Sequence, residues 1–361
     1  MKEGLISVYA SCLGLQMKIL KDYPNTVKQL VDSLAELDDE LELIKVANLS
    51  EIIKALPESF IIKDDAELVK AFIPNIFVSR FKNGDAKKVS KRVWDELVGQ
   101  VPEIAKISAV EIFSKISQCF DSNSYDDRVG GAHALKELCS SLGEDQLQHK
   151  NFTEVVDAIM RLIMGKYFNE KEQIVACMGF LVQEDLLQDE DKIGSILQGA
   201  AEQIQKVSSH YDGYKNALIK LAEQVLGKRI RVKPEILSEL FDCLLLELSQ
   251  ALDKVVAQAE TSFLAEQKGN FFKFEEKKEE EQQNLSTVEN TYRCMPKMLD
   301  QRTLASESKT SMLEMLCQLS EDKFARSNWM VRKAILECFK DILKKETREP
   351  QALQFGKYLI C

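Results

Sequence analysis

Aromatic residues recur at a nearly fixed interval along this chain: Phe81, Tyr125, Phe168 and Tyr211 are separated by 44, 43 and 43 residues. Each stands just before or at the opening of a segment whose apolar residues fall at spacings of three and four, and each such segment follows another of the same kind. A period this long exceeds any single helix or strand of ordinary length. It requires stacked copies of one helix–turn–helix unit, each hiding its apolar face against its neighbours.

The first clear pair comprises residues 64–81, opened by Asp64 with Glu67 three residues on, and residues 85–98, joined by Asn83-Gly84. In the second helix Ala86, Val89, Val93 and Leu97 share one face, and Lys87, Lys88, Lys91, Arg92 and Asp95 take the other. Further pairs are expected at 103–119 with 125–142, 150–165 with 169–184, and 190–208 with 211–226. Long helices follow at 234–262 and 282–299, then a last pair at 306–320 and 327–345. The chain has only 15 Gly and 7 Pro, and no stretch alternates as a strand would. The expected fold class is all-α, a HEAT-like α-solenoid of about seven helical hairpins, since a period near 43 falls in the roughly 40 to 47 residues of HEAT and armadillo arrays.

Between 263 and 282 the period breaks in FLAEQKGNFFKFEEKKEEEQ, a charge-dense run with Phe271, Phe272 and Phe274. It reads as a solvated loop or insertion between an array at 1–262 and C-terminal repeats at 283–361. In the last helix Val331, Ile335, Cys338 and Ile342 form one stripe while Arg332, Lys333 and Lys340 stay outside. Trp329, at the start of that helix, is expected to be buried between the two helices of its repeat. The structural repeat set is therefore Phe81, Tyr125, Phe168, Tyr211 and Trp329.

Composition argues against most chemistry. The histidines are only His133, His149 and His210, and no CxxC, GxSxG, GxxxxGK or strand-borne GxGxxG occurs. His133 and Glu137 lie four apart but have no second His or Cys pair beside them, so a surface contact outweighs half of a metal site. Gly130-Gly131 is a place for close helix packing rather than a phosphate cradle. Nine cysteines, Cys12, Cys119, Cys139, Cys177, Cys243, Cys294, Cys317, Cys338 and Cys361, sit mostly within apolar helical patterns and read as small hydrophobes in a reducing compartment. No catalytic residue, cofactor, metal or small-molecule substrate is expected. No signal peptide is evident and no uncharged run reaches the roughly 20 residues of a membrane span.

The net charge of -10, from 48 Lys and Arg against 58 Asp and Glu, opposes general attraction to nucleic acid. A local basic row remains along the second helices: Lys87, Lys88, Lys91, Arg128, Lys171 and Arg332. It is either the solvated side of repeat helices or a surface that meets an acidic protein partner.

Several stretches narrow the architecture: residues 92–98 leading to Val101-Pro102, residues 124–132, residues 171–176 and residues 327–339. In this order, across residues 70–345, they resemble the C-terminal region of the large proteasome-associated HEAT-repeat adaptor and scaffold family. Lys82 stands where that family's repeat usually has Asp, and Tyr125 and Phe168 where relatives have Trp. The resemblance implies a cytoplasmic and nuclear protein that binds 26S proteasome subunits, bridges regulatory and core particles, supports proteasome quality control, and forms the tail of a longer solenoid. A karyopherin-type or other HEAT-repeat cargo or assembly scaffold would use the same array and is the alternative.

Overall fold

The computed structural model describes residues 66–82, 87–88, 90–91, 94–95, 104–142, 150–187, 189–207, 211–228, 231–265, 272–324 and 329–346. Among these residues there are twelve helices and no strand. They are α1 (Ala66–Ser79), α2 (Ile104–Ile107), α3 (Ala109–Asp121), α4 (Tyr125–Ser141), α5 (Lys150–Met164), α6 (Lys171–Gln183), α7 (Glu190–Lys206), α8 (Asp212–Leu226), α9 (Pro234–Ala265), α10 (Phe272–Leu299), α11 (Ser306–Phe324) and α12 (Trp329–Glu346). The fold is the all-helical, HEAT-like array of hairpins that the repeat required. Six hairpins fall within the described residues, the first with its second helix described only in part at 87–95. A seventh in residues 1–65 would lie outside them.

The chain divides into two compact units, Met1–Cys177 and Met178–Cys361, with the division inside α6. In the first unit α3 packs on α1, α5 packs on α3, and α4 packs on both α1 and α3. In the second unit α7 contacts α9 and α9 contacts α11, while α8 contacts α10 and α10 contacts α12. Within each unit the contacting helices are thus hairpin partners or helices next but one, as expected when a repeat hides its apolar stripe against the following copy. The cores are built from the periodic apolar positions, including Ile112, Phe113, Ile116 and Phe120 of α3 and Leu237, Leu240, Phe241 and Leu244 of α9.

Close approach of α3 and α4 explains Gly130-Gly131. A Cβ on Gly131 would lie 3.1 Å from the Cys119 Cβ and 3.2 Å from the Phe120 ring, so this glycine lets α3 side chains rest on the α4 backbone. Helix starts are set by local acceptors. The Ser124 side chain accepts the Asp127 N–H at 3.4 Å, and Asp189 accepts the Asp191 and Lys192 N–H groups at 3.0 and 3.2 Å.

Ion pairs and amides tie successive repeats. Lys82, in the position where Asp was the familiar residue, lies 3.1 Å from Asp127, which also accepts the Ser122 hydroxyl at 2.8 Å. In the second unit Lys254 meets Asp212 at 3.2 Å, Lys297 meets Glu223 at 2.8 Å, and Asn216 bonds both Ser286 and Asn290 across α8 and α10.

Two expectations are corrected. Trp329 is not buried but 68% exposed, because α12 turns its Val331, Ile335, Cys338 and Ile342 stripe inward and Trp329, two residues before Val331, points to the opposite side. Tyr125 and Tyr211 are also exposed, whereas Phe81 and Phe168 are half-buried, so the recurring aromatic is not a uniform core anchor. The charged run is not a loop over its whole length: α9 continues to Ala265 and α10 begins at Phe272. Glu, Lys and Gln lose little rotamer freedom in a helix, and Glu275 with Lys278 and Lys277 with Glu281 have the spacings of favourable pairs. Residues 266–271 lie outside the described residues.

Candidate partner-binding surface

Of the six basic residues in the expected row, two are used inside the fold. Lys171 opens α6, and its residue is 0% exposed. Its Nζ donates to the Gly165 carbonyl at 2.7 Å, at the C-terminal end of α5. Arg128 does the same one repeat earlier: its Nε donates to the Ser122 carbonyl at 2.7 Å, just beyond α3. Donor and acceptor are six residues apart in both cases, and the two pairs are 43 residues apart. A long cationic side chain three positions after the repeat aromatic therefore folds back onto the carbonyl end of the first helix, where charge and hydrogen bonding both favour it. The Arg128 guanidinium also stands 5.0 Å from the Phe168 ring centroid, linking its hairpin to the turn of the next. Assigning Lys171 to an exposed partner surface is thus corrected, and Arg128 has a structural role within its repeat.

Burial brings the Lys171 ammonium down from 10.5 to about 8. Between these values the unfolded chain holds the proton and the folded chain has released it, so this group makes stability rise with pH across that window. Below pH 8 both states are protonated, and the burial penalty applies in full. In Lys171→Met the contribution disappears. The stability of the natural chain relative to the variant is expected to rise between pH 8 and 10.5 in urea titrations, with the buried thiols and tyrosines acting equally in both; parallel profiles would refute the assignment.

Lys87, Lys88 and Lys91 are exposed, as is Arg332 in the other unit. Two further groups outside the expected row, His133, which the sequence reading placed only in a surface contact, and Lys136, lie on the outward side of the next hairpin. On α4 the outward stripe consists of His133, Lys136, Glu137 and Ser140, at spacings of three, four and seven. His133 is half-buried and its imidazole is held below its ordinary value, first by burial, then by the charges of Lys136 and Lys87, with Glu170 opposing. Lys136 and Lys87 thus both act on His133, although Lys87 comes from the preceding repeat. A signal was available: Lys88 and His133, like Lys91 and Lys136, are 45 residues apart, the same separation as Cys177 from the Ala132 carbonyl it contacts.

The nearby acids are drawn elsewhere. Arg80 is stacked 4.0 Å from the Trp94 ring centroid, 4.6 Å from Phe77 and 5.0 Å from Phe81, and Glu137 and Asp95 favour its charge. Burial lowers this guanidinium to about 10, so it stays charged at neutral pH. Glu137 and Asp95 thus act on Arg80 and Glu170 acts on His133, interspersed with the exposed Lys87 and Lys91 and the half-buried Lys136.

Nothing comparable to a nucleophile was found among the described cysteines. Cys139, Cys177, Cys294, Cys317 and Cys338 are all buried, and burial pushes their thiols upward, to about 12 for Cys177 and Cys317. Among the described residues no group of three or more His, Cys, Asp or Glu is placed to hold a metal ion, and no helix is long and apolar enough to cross a membrane.

No protein-family description and no curated protein matches this sequence. Similar solved structures include an engineered protein, at 12% identity and a TM-score of 0.44, covering 88% of this chain and 68% of that one. They also include the karyopherin Kap121p, at 12% identity and a TM-score of 0.41, covering 95% of this chain and 36% of that one. Kap121p bound to Pho4p gives 12% identity, a TM-score of 0.40 and the same two coverages. The chain spans about a third of the length of Kap121p. Nothing among these likenesses ties it to a proteasome-associated adaptor.

Proposed function

We propose that the chain is a non-catalytic, protein-binding scaffold that presents the second helices of its HEAT-like hairpins to a partner. The observation that carries this reading is that Lys87, Lys88 and Lys91 are exposed and His133 and Lys136 lie on the outward stripe of α4 in the next hairpin, while Arg128 and Lys171 are tied inward. Such a surface has the extent and repetition suited to a protein rather than to a small substrate. A cargo or assembly scaffold of karyopherin type is the preferred form of this reading. Kap121p has been solved bound to Pho4p and bound to Ste12p, which are facts about that protein. Association with the 26S proteasome, bridging its regulatory and core particles, is the second form, favoured by the resemblance of residues 92–98, 124–132, 171–176 and 327–339. Either scaffold would act in the cytoplasm and nucleus.

The test is capture of partners on the tagged full chain, followed by cross-linking and mass spectrometry. Proteins cross-linked at residues 87–91 and 133–136 are expected, with transport cargo or assembly factors supporting the first form and proteasome subunits the second. Replacing Lys87, Lys88 and Lys91 by Glu should remove these cross-links without changing helicity. Retention of nothing above a tag-only control, or cross-links confined to other surfaces, would overturn the proposal.

A further inference from the structure

The outer side of α12 carries an exposed apolar stripe. Trp329, Leu336 and Leu343 recur every seven residues and so share one line of the helix, drifting only about 20° per step. Trp329 is 68% exposed and Leu336 44%, and Leu343 is half-buried. The other sides of α12 are occupied. Val331, Ile335, Cys338 and Ile342 enter the core, and a cavity of about 230 Å³ marks the side toward α10, to which α12 contributes Ala334, Glu337, Cys338, Lys340 and Asp341. Second helices in this unit lie side by side, α8 against α10 and α10 against α12. The stripe stands on the side of α12 turned from α10, where a further helix of such a row would pack.

The charges beside the stripe have one sign. At about 100° per residue, Arg332 flanks it on one side and Lys333, Lys340 and Lys344 flank it on the other. Among the described side chains of α12 the acids are Glu337 and Asp341, which fall beyond the lysines toward α10. They lie 3.8 Å from Lys333 and Lys344, exposed pairs that hold the lysines weakly.

We infer that Trp329, Leu336 and Leu343 bind an amphipathic helix of a protein partner, apolar along one stripe and flanked by carboxylates. The inference adds a second surface to the scaffold reading, in the unit that does not contain residues 87–91 and 133–136. A stripe with a seven-residue repeat and basic flanks matches a helix whose own flanks are acidic. Such a helix touches α12 alone, and at 0.1 M salt charges more than about 10 Å away are screened, so the local lysines outweigh the net charge of -10. An anionic bilayer instead presents its charge to the whole chain, and this stripe is narrower than the face an interfacial helix buries. Nucleic acid would meet the lysines but leave the aliphatic Leu336 and Leu343 unused. Two copies of α12 paired along the stripe would bring their basic flanks together.

The experiment uses the full chain and a fluorescein-labelled helical peptide of three heptads, with Leu at positions a and d and Glu at e and g. The same peptide with Lys at e and g, and another with Gln at a and d, are comparators in fluorescence anisotropy. The Leu/Glu peptide is expected to bind, to weaken with added salt, and to move tryptophan emission to shorter wavelength in the natural chain but not in Trp329→Phe. Trp329→Ala and Leu336→Ala should each weaken binding about tenfold, and Lys333→Gln with Lys340→Gln about fivefold. Leu246→Ala, at an exposed leucine of α9, should leave it unchanged. Circular dichroism of each variant establishes that the helices are intact. Absence of Leu/Glu peptide binding, equal binding of either comparator, or an equal loss in Leu246→Ala overturns the inference. So does Trp329-dependent sedimentation with phosphatidylserine vesicles in place of peptide binding, which assigns the stripe to lipid. Trp329-dependent dimerisation without peptide binding also overturns it and assigns the stripe to a second copy. If peptide binding fails while partners still cross-link at residues 87–91 and 133–136, the α12 surface is wrong and the scaffold stands; loss of both removes the scaffold as well.

Discussion

Phe113→Ala is expected to destabilise the chain by about 3 to 5 kcal/mol, whereas Trp329→Ala should change stability by no more than about 0.5 kcal/mol. Size alone would rank these residues the other way. Phe113 on α3 is fully buried, with its ring centroid 5.7 Å from that of Phe152 on α5, so truncation opens a void between two successive first helices. Trp329 leaves most of its surface in solvent. Because stability in a repeat array is built from each repeat and its contacts with the next, the Phe113 loss should appear first in α3, α4 and α5. Hydrogen exchange in this variant should speed up there while α9 to α12 keep their protection. A uniform loss, or a Trp329→Ala effect as large as that of Phe113→Ala, would contradict this account.

Glu247→Ala should also be severe, at about 3 to 5 kcal/mol, because it strands a buried ammonium. Lys215 on α8 pairs with Glu247 on α9, and both side chains are largely withdrawn from water. The attraction offsets desolvation only while both partners are present. Lys215→Leu combined with Glu247→Leu should therefore recover much of the loss, giving a large coupling in a double-mutant cycle by urea denaturation. The exposed pair of Arg293 and Glu289 is the comparison, since Glu289→Ala should cost about 0 to 1 kcal/mol. Additive effects at Lys215 and Glu247 would show that the two groups do not depend on each other.

The inward stripe of α12 shows what periodicity reveals. Val331, Ile335, Cys338 and Ile342 are all buried, and Arg332, Lys333 and Lys340 are all exposed, as spacings of three and four require. The same reasoning did not extend to Trp329. A large aromatic attracts a core assignment by type, but its angular position puts it opposite Val331. Lys82 is similar: its residue type departs from the usual Asp, yet its charge pairs with Asp127 across the repeat. Helix 272–299 was harder to foresee because a dense run of Glu and Lys is compatible both with a solvated loop and with a helix that continues past the packed face.

The sequence by itself determined the helical hairpin, its period near 43, the buried stripes and the absence of any recognisable catalytic or metal-binding motif. These depend on local spacing and residue chemistry, which persist whatever the neighbours are. Only the tertiary structure decided which basic residues belong to a surface. Arg128 and Lys171 occupy equivalent repeat positions and fold back onto the Ser122 and Gly165 carbonyls, while His133 and Lys136 remain on the outward side of α4 beside Lys87. A long cationic side chain can reach either water or the carbonyl end of the preceding helix from one backbone position. Spacing fixes that position, but the packed geometry of the hairpin determines which of the two the charge meets.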